Sequence, residues 1–197
     1  MTAEGRFTAA LRALTAALDE IGAPSMIIGG IAVIAAGVPR ETVDIDATVL
    51  GRAATVDDTV AALARHGISP RVSDAIQFAR ERQVLLLRHE ASGVTMELSF
   101  AWFPFEEEAL SRALEATVEN VAVRLARPED LIVYKAAAWR DRDRSDIERL
   151  LILYVDEIDL DRVRALIGDI GAALDDPQRL AHFDVMVERA KQLRAGS

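Results

Sequence analysis

Residues 26–49 read MIIGGIAVIAAGVPRETVDIDATV. An apolar run ends in Gly29-Gly30, a short alanine-rich segment follows, and a second apolar run carries Asp44 and Asp46 one residue apart. Alternate side chains of a strand share a face. Asp44 and Asp46 therefore point one way, while Val43, Ile45 and Ala47 point the other. Two adjacent carboxylates repel unless a cation or a proton lies between them, and paired glycines let a backbone approach a phosphate closely. A divalent metal and a nucleoside triphosphate together satisfy both features.

The rest of the chain sets bounds on that chemistry. It has 197 residues, enough for one domain or for a domain with an appendage. It carries 51% apolar residues, so a substantial core is expected, and it has no cysteine, which excludes disulfides, thiolate metal sites and a cysteine nucleophile. No apolar run is long enough for a membrane span, and MTAEGRFTAALRAL lacks a secretory h-region. The expectation is a cytoplasmic protein with no membrane partner. The net charge of −9 argues against broad binding to a nucleic-acid backbone.

Phe7, Leu11, Leu14, Leu18 and Ile21 recur at helical spacing, so a helix is expected over 4–21, closed by Gly22 and Pro24. Short strands are expected at 25–28 and 43–50, with a helix over 31–36 between them. A helix over 57–66 follows, with Val56, Val60, Leu63 and Ala64 as its apolar face. Strands are expected at 84–88 and 94–100, joined by HEASG, then a helix over 105–114 and one strand over 118–125. Pro128 suits the first position of a helix. Only helical patterns follow it, with breaks expected near 140–145, 156–159 and 168–177. This order predicts an α+β (mixed α/β) fold. Residues 1–126 would form the sheet-containing core, and 127–197 a helical C-terminal region packed on it.

Phosphoryl and nucleotidyl transfer need hard oxygen ligands for metals and donors for the phosphate tail. Asp44 and Asp46 are the metal candidates. Glu97, in VTMELSF, lies on the polar face of its strand and is the candidate third acid. Gly29 and Gly30 are the candidate phosphate cradle. In the run RPEDLIVYKAAAWRDRDRSDIERLL, residues 127–151, Lys135 could meet phosphates as a point charge, and Arg140, Arg142, Arg144 and Arg149 form a local basic stretch. The blander readings are a plain glycine turn, a snorkelling Lys135, an arginine face laced with ion pairs, and Asp143 or Asp146 as helix N-caps. Trp102 and Trp139 read as core or interface residues. His66, His89 and His182 have no metal spacing.

The pattern Gly29-Gly30, then Arg40-Glu-Thr42-Val-Asp44-Ile-Asp46, resembles the polymerase-β-like nucleotidyltransferase superfamily. The later run from Lys135 through Arg140-Asp-Arg142-Asp143-Arg-Ser-Asp146 is similar to its AbiEii-toxin-like and uncharacterised bacterial branch. The resemblance implies a nucleotidyltransferase-fold sheet flanked by helices. It also implies two-metal Mg²⁺ binding by Asp44, Asp46 and a later-strand acid such as Glu97, and contact of Gly29, Gly30 and Arg40 with an NTP. Lys135 and Asp146 would belong to the active site. Gly30 departs from the Gly-Ser of many superfamily members, so phosphate binding would rest on backbone donors.

The expected activity is Mg²⁺-dependent transfer of a nucleoside monophosphate from an NTP to a hydroxyl. The acceptor stays open between RNA such as a tRNA 3′ end, a protein side chain and a small molecule. The alternatives are a kinase-like phosphotransferase, and a non-catalytic nucleotide-sensing or protein-binding half of a toxin–antitoxin pair with an antitoxin partner.

Overall fold

A computed structural model describes residues 2–196. The chain divides into two compact units: residues up to Ala32 with Arg40–Ala126, and Val33–Pro39 with the residues from Arg127 on. The fold is the expected α+β one, with a seven-stranded mixed sheet and a helical C-terminal part. No described helix is long and apolar enough to cross a membrane.

In the first unit, helix α1 (Ala3–Ile21) starts at a Thr2 cap and ends at Gly22, whose φ of 69° gives the left-handed closure that glycine allows. Strand β1 (Ser25–Ile27) leads into α2 (Gly29–Ala35), and β2 spans Asp44–Leu50. Next come α3 (Val56–Arg65), β3 (Ile68–Pro70), α4 (Ala75–Arg82), β4 (Val84–His89), β5 (Thr95–Ala101) and α5 (Pro104–Ser111). The hairpin β6 (Leu114–Val118) and β7 (Val121–Leu125) closes the unit. The sheet order is β3-β4-β5-β2-β1-β7-β6. Strand β2 runs parallel to β5 and antiparallel to β1.

The alternation read from sequence sets the two faces of β2 and β5. Ile45, Ala47, Val49, Met96, Leu98 and Phe100 are buried on one face, and Leu85 and Leu87 of β4 continue it. That apolar face supplies the core, together with Leu11, Leu14 and Leu18 of α1 and Leu63 of α3. Asp44, Asp46 and Glu97 lie on the opposite face.

Several expectations change. Of the apolar face expected for α3, Leu63 is buried, Val56 and Val60 are half-buried and Ala64 is exposed, while Thr59 and Ala62 join Leu63 in the buried set. The single strand expected at 118–125 is a two-strand hairpin, turning at Glu119 and Asn120 with φ of 49° and 60°. Two consecutive positive φ values are those of a type I′ turn, whose twist matches the flanking strands. Trp102 is 60% exposed rather than core, and its ring lies against Phe103.

The second unit contains α6 (Pro128–Ala138), α7 (Asp141–Tyr154), α8 (Leu160–Ala173) and α9 (Gln178–Ala195). Pro128 takes the first turn of α6 as expected. Gly168, expected at a break, lies inside α8. Ile147, Leu150, Leu151, Val163, Ile167, Phe183 and Val187 form this unit's core. Arg179 donates to the Ala136 and Ala137 carbonyls, satisfying the open end of α6, and lies over the Trp139 ring. Buried Asp130 is paired with Arg162 at 3.0 Å.

Candidate active site

The parallel register of β2 and β5 sets Asp44 beside Thr95 and Asp46 beside Glu97. Directly paired residues share a face, and neighbouring strands lie about 4.8 Å apart. The three carboxylates named from sequence are therefore arrayed on one face of two adjacent strands. Asp44 and Asp46 are half-buried, and Glu97 is exposed. Ile45 and Met96, pointing into the core between them, hold that orientation.

The glycine pair lies against this row. Gly29 has a φ of 60°, and a Cβ built on it would fall 1.8 Å from Asp46 Oδ2. A Cβ on Gly30 would fall 2.5 Å from Thr42 Oγ1 and 3.3 Å from an Arg40 guanidinium nitrogen. The backbone can thus lie directly on Asp46 at 29 and on Thr42 at 30 only because both residues lack side chains. Arg40 lies over Gly30 and donates from Nε to the Glu41 carbonyl. The Thr42 hydroxyl donates to Asp44, 3.1 Å from Oδ1 and 3.2 Å from the carbonyl oxygen.

Among the described residues, no three His, Asp or Glu side chains close into a ready metal cage. The donor set nevertheless suits Mg²⁺. That ion keeps several waters and takes one or two carboxylates together with substrate phosphates, rather than an all-protein cage. Asp44 and Asp46 would supply the two carboxylates.

In the second unit, Lys135 is only 8% exposed, and its ammonium lies 3.0 Å from both Asp143 Oδ1 and Asp146 Oδ2. Arg140 Nε approaches Asp143 Oδ2 at 2.8 Å, and the Arg140 backbone N–H donates to the same oxygen. Burial alone would raise the Asp143 carboxyl, but the hydrogen bonds from Lys135 and Arg140 outweigh it and hold it below the usual carboxylate range. Neither aspartate is an N-cap, since α7 starts after Arg140 and both lie within it. Nor does Lys135 snorkel. Arg142, Arg144 and Arg149 are exposed; Arg144 pairs with Asp141, and Arg149 donates to the Pro39 carbonyl.

Two contributors went unassigned from sequence. Thr42 carries the parity of Asp44 and Asp46, a signal present in TVDID. Asp143 shares a helix face with Asp146, but nothing in the spacing alone points to Lys135 as their common partner.

Gly29→Ala and Gly22→Ala form a matched pair, because both positions have positive φ. A Cβ at Gly22 meets nothing within 4 Å, so only the backbone term applies, about 1 kcal/mol. At Gly29 the same term is joined by the collision with Asp46. The expected result in urea denaturation is a loss of about 2–3 kcal/mol for Gly29→Ala.

A family model described as "Nucleotidyltransferase of unknown function (DUF6036)" matches residues 6–192. No curated protein matches by sequence. Among solved structures, the chain is similar to the antibiotic-resistance factor ANT(2'')-Ia in solution, at 20% identity and a TM-score of 0.57, over 89% of this chain and 96% of that one. A crystal structure of ANT(2'')-Ia with adenylyl-2''-tobramycin aligns at 20% identity and a TM-score of 0.52, covering 83% and 95%. A candidate nucleotidyltransferase from H. pylori aligns at 16% identity and a TM-score of 0.51, covering 95% and 94%. At these identities the likeness is one of fold.

Proposed function

The chain belongs to this nucleotidyltransferase family, and from that premise we propose that it moves a nucleoside monophosphate from an NTP to an acceptor hydroxyl, using Asp44 and Asp46 to hold Mg²⁺. The carrying observation is the contact between Gly29 and Asp46, with the position of a Gly29 Cβ occupied by the Asp46 carboxylate. The acceptor oxygen would bond to the α-phosphorus as the bond to the bridging oxygen breaks, and pyrophosphate would leave. Bound Mg²⁺ would neutralise the triphosphate and acidify the acceptor hydroxyl.

The residues of the chain divide the remaining tasks. Gly29 and Gly30 would offer backbone N–H groups to a phosphate at the start of α2, and Arg40, over Gly30, would supply a guanidinium for a phosphate oxygen. Glu97, exposed beside Asp46, would accept the acceptor's proton or orient its hydroxyl. Lys135 and Asp146 enter through the resemblance. With its ammonium already held by two carboxylates, Lys135 is assigned here to holding Asp146 in position rather than to gripping phosphate.

A small-molecule hydroxyl is the favoured acceptor. The net charge of −9 disfavours a polyanionic RNA, and one solved structure of similar fold is a complex with adenylyl-2''-tobramycin. Family membership favours the enzyme over a non-catalytic sensor. The test is incubation of the protein with Mg²⁺, a cell extract and each of the four NTPs labelled in turn at the α-phosphorus. Label should move to a small molecule, with release of pyrophosphate. Release of nucleoside diphosphate without α-label transfer indicates a kinase. Labelled RNA or protein reassigns the acceptor.

A further inference from the structure

We propose that Thr42 is a positioning residue of the metal–nucleotide site, its hydroxyl locking the Asp44 carboxylate in place from the space that the missing Gly30 side chain leaves free; this role rests on the nucleotidyl-transfer reading above. Thr42, Asp44 and Asp46 alternate along the same stretch of chain, the last two within β2. The Thr42 Oγ1 hydrogen lies within reach of both Asp44 Oδ1, at 3.1 Å, and the Asp44 carbonyl oxygen, at 3.2 Å. One hydroxyl therefore ties the carboxylate and its own backbone together, and leaves Asp44 Oδ2 for a cation.

On its other side the hydroxyl meets Gly30. A Cβ there would lie 2.5 Å from Thr42 Oγ1 and 2.9 Å from Thr42 Cβ, so any larger residue at 30 would push the hydroxyl off Asp44. Gly30 thus has two jobs. It exposes backbone, and it leaves the space in which Thr42 sits. A carboxylate beside a second carboxylate is free to rotate away from it, and repulsion between Asp44 and Asp46 favours that rotation. The threonine opposes it before any cation arrives, so less ordering remains to be done on binding.

The test uses Mn²⁺ as the metal probe, with the α,β-methylene analogue of each NTP, in the full-length protein. Metal binding is read by water-proton relaxation and analogue binding by calorimetry. Thr42→Val keeps the shape and removes the hydroxyl, whereas Thr42→Ser keeps the hydroxyl. Thr42→Val should weaken Mn²⁺ binding by about 10-fold, the usual scale for one hydrogen bond to a charged group. Thr42→Ser should stay within about 3-fold of the parent protein on the same scale. Gly30→Ala, whose Cβ would press on the Thr42 hydroxyl, should weaken Mn²⁺ binding in the same direction as Thr42→Val. Circular dichroism and urea midpoints separate these effects from misfolding; a Thr42→Val protein that folds but binds Mn²⁺ like the parent overturns the role. Unchanged binding in both Thr42 variants together with loss in Asp44→Asn removes Thr42 alone. Parent protein that binds neither Mn²⁺ nor any analogue overturns the nucleotidyl-transfer reading, and this role with it.

Discussion

Replacing Asp44 and Asp46 together by asparagine is expected to cut Mg²⁺-dependent pyrophosphate release by about 10³-fold or more, while the protein stays folded. Asparagine has the shape of aspartate, and both side chains are only half-buried, so packing is unaffected. The Thr42 hydroxyl can still donate to the oxygen of an asparagine at 44, which keeps the local geometry. Only the charge is lost. Two like charges on one strand face repel, so the metal-free double variant should be as stable as the parent or more stable by a few tenths of a kcal/mol. In the presence of Mg²⁺ and NTP the order reverses. The parent gains stability through ligand linkage, about 2.7 kcal/mol when the ligand is at 100 times its Kd. The variant should gain none. The informative measurement is therefore the pair of melting curves with and without Mg·NTP, run beside a pyrophosphate assay. Release within tenfold of the parent, or an undiminished ligand-induced shift, would remove the acid pair from the mechanism.

Local signals along the chain were legible wherever a short stretch decides the outcome. Gly22 and Pro24 mark the end of α1, and Pro128 marks the start of α6, because backbone geometry at those positions depends on the residue itself. The parity of Asp44, Asp46 and Glu97 follows from strand alternation, and the parallel register of β2 with β5 puts all three on one side. What escaped depends on partners that are distant in sequence or on turns hidden inside a regular pattern. Apolar–polar alternation runs on through 118–125, which disguised the Glu119-Asn120 turn and absorbed half a hairpin. Strand β3 has three residues, one of them a proline, and α4 buries only Ala75 and Ala79, so neither carries a strong apolar pattern. Thr59 is fully buried in α3 although it is polar, since its hydroxyl donates to the Thr55 carbonyl. The partners of Lys135 lie on the next helix, past the left-handed Trp139 corner, and only the turn of the chain there makes them its neighbours.

Those partners lead to the second large effect: Lys135→Met should destabilise the protein by about 3–5 kcal/mol, the scale for removing one member of a buried ion cluster. For a chain of this size that is a drop of roughly 6–20 °C in Tm. Methionine fills much of the lysine volume, so the loss reports charge rather than a cavity. Asp143 and Asp146, both almost wholly buried, would lose the ammonium that lies 3.0 Å from each. The pH dependence gives a sharper signature. In the parent, hydrogen bonds from Lys135 and Arg140 overcome burial and hold the Asp143 carboxyl below its ordinary value. A folded-state pKa below the unfolded one contributes stability that is present above the unfolded value, about pH 4, and is lost as the pH falls through the folded value. Without Lys135, burial is opposed by Arg140 alone, and the carboxyl moves upward. Protonation then relieves the buried charge, so the variant should regain stability between neutrality and about pH 5, where the parent gains none. Urea midpoints for both proteins across that interval decide the matter. If Lys135 instead serves by gripping a triphosphate, as expected from sequence for a point charge, Lys135→Met would weaken NTP binding and leave the urea midpoint and its pH profile where they were.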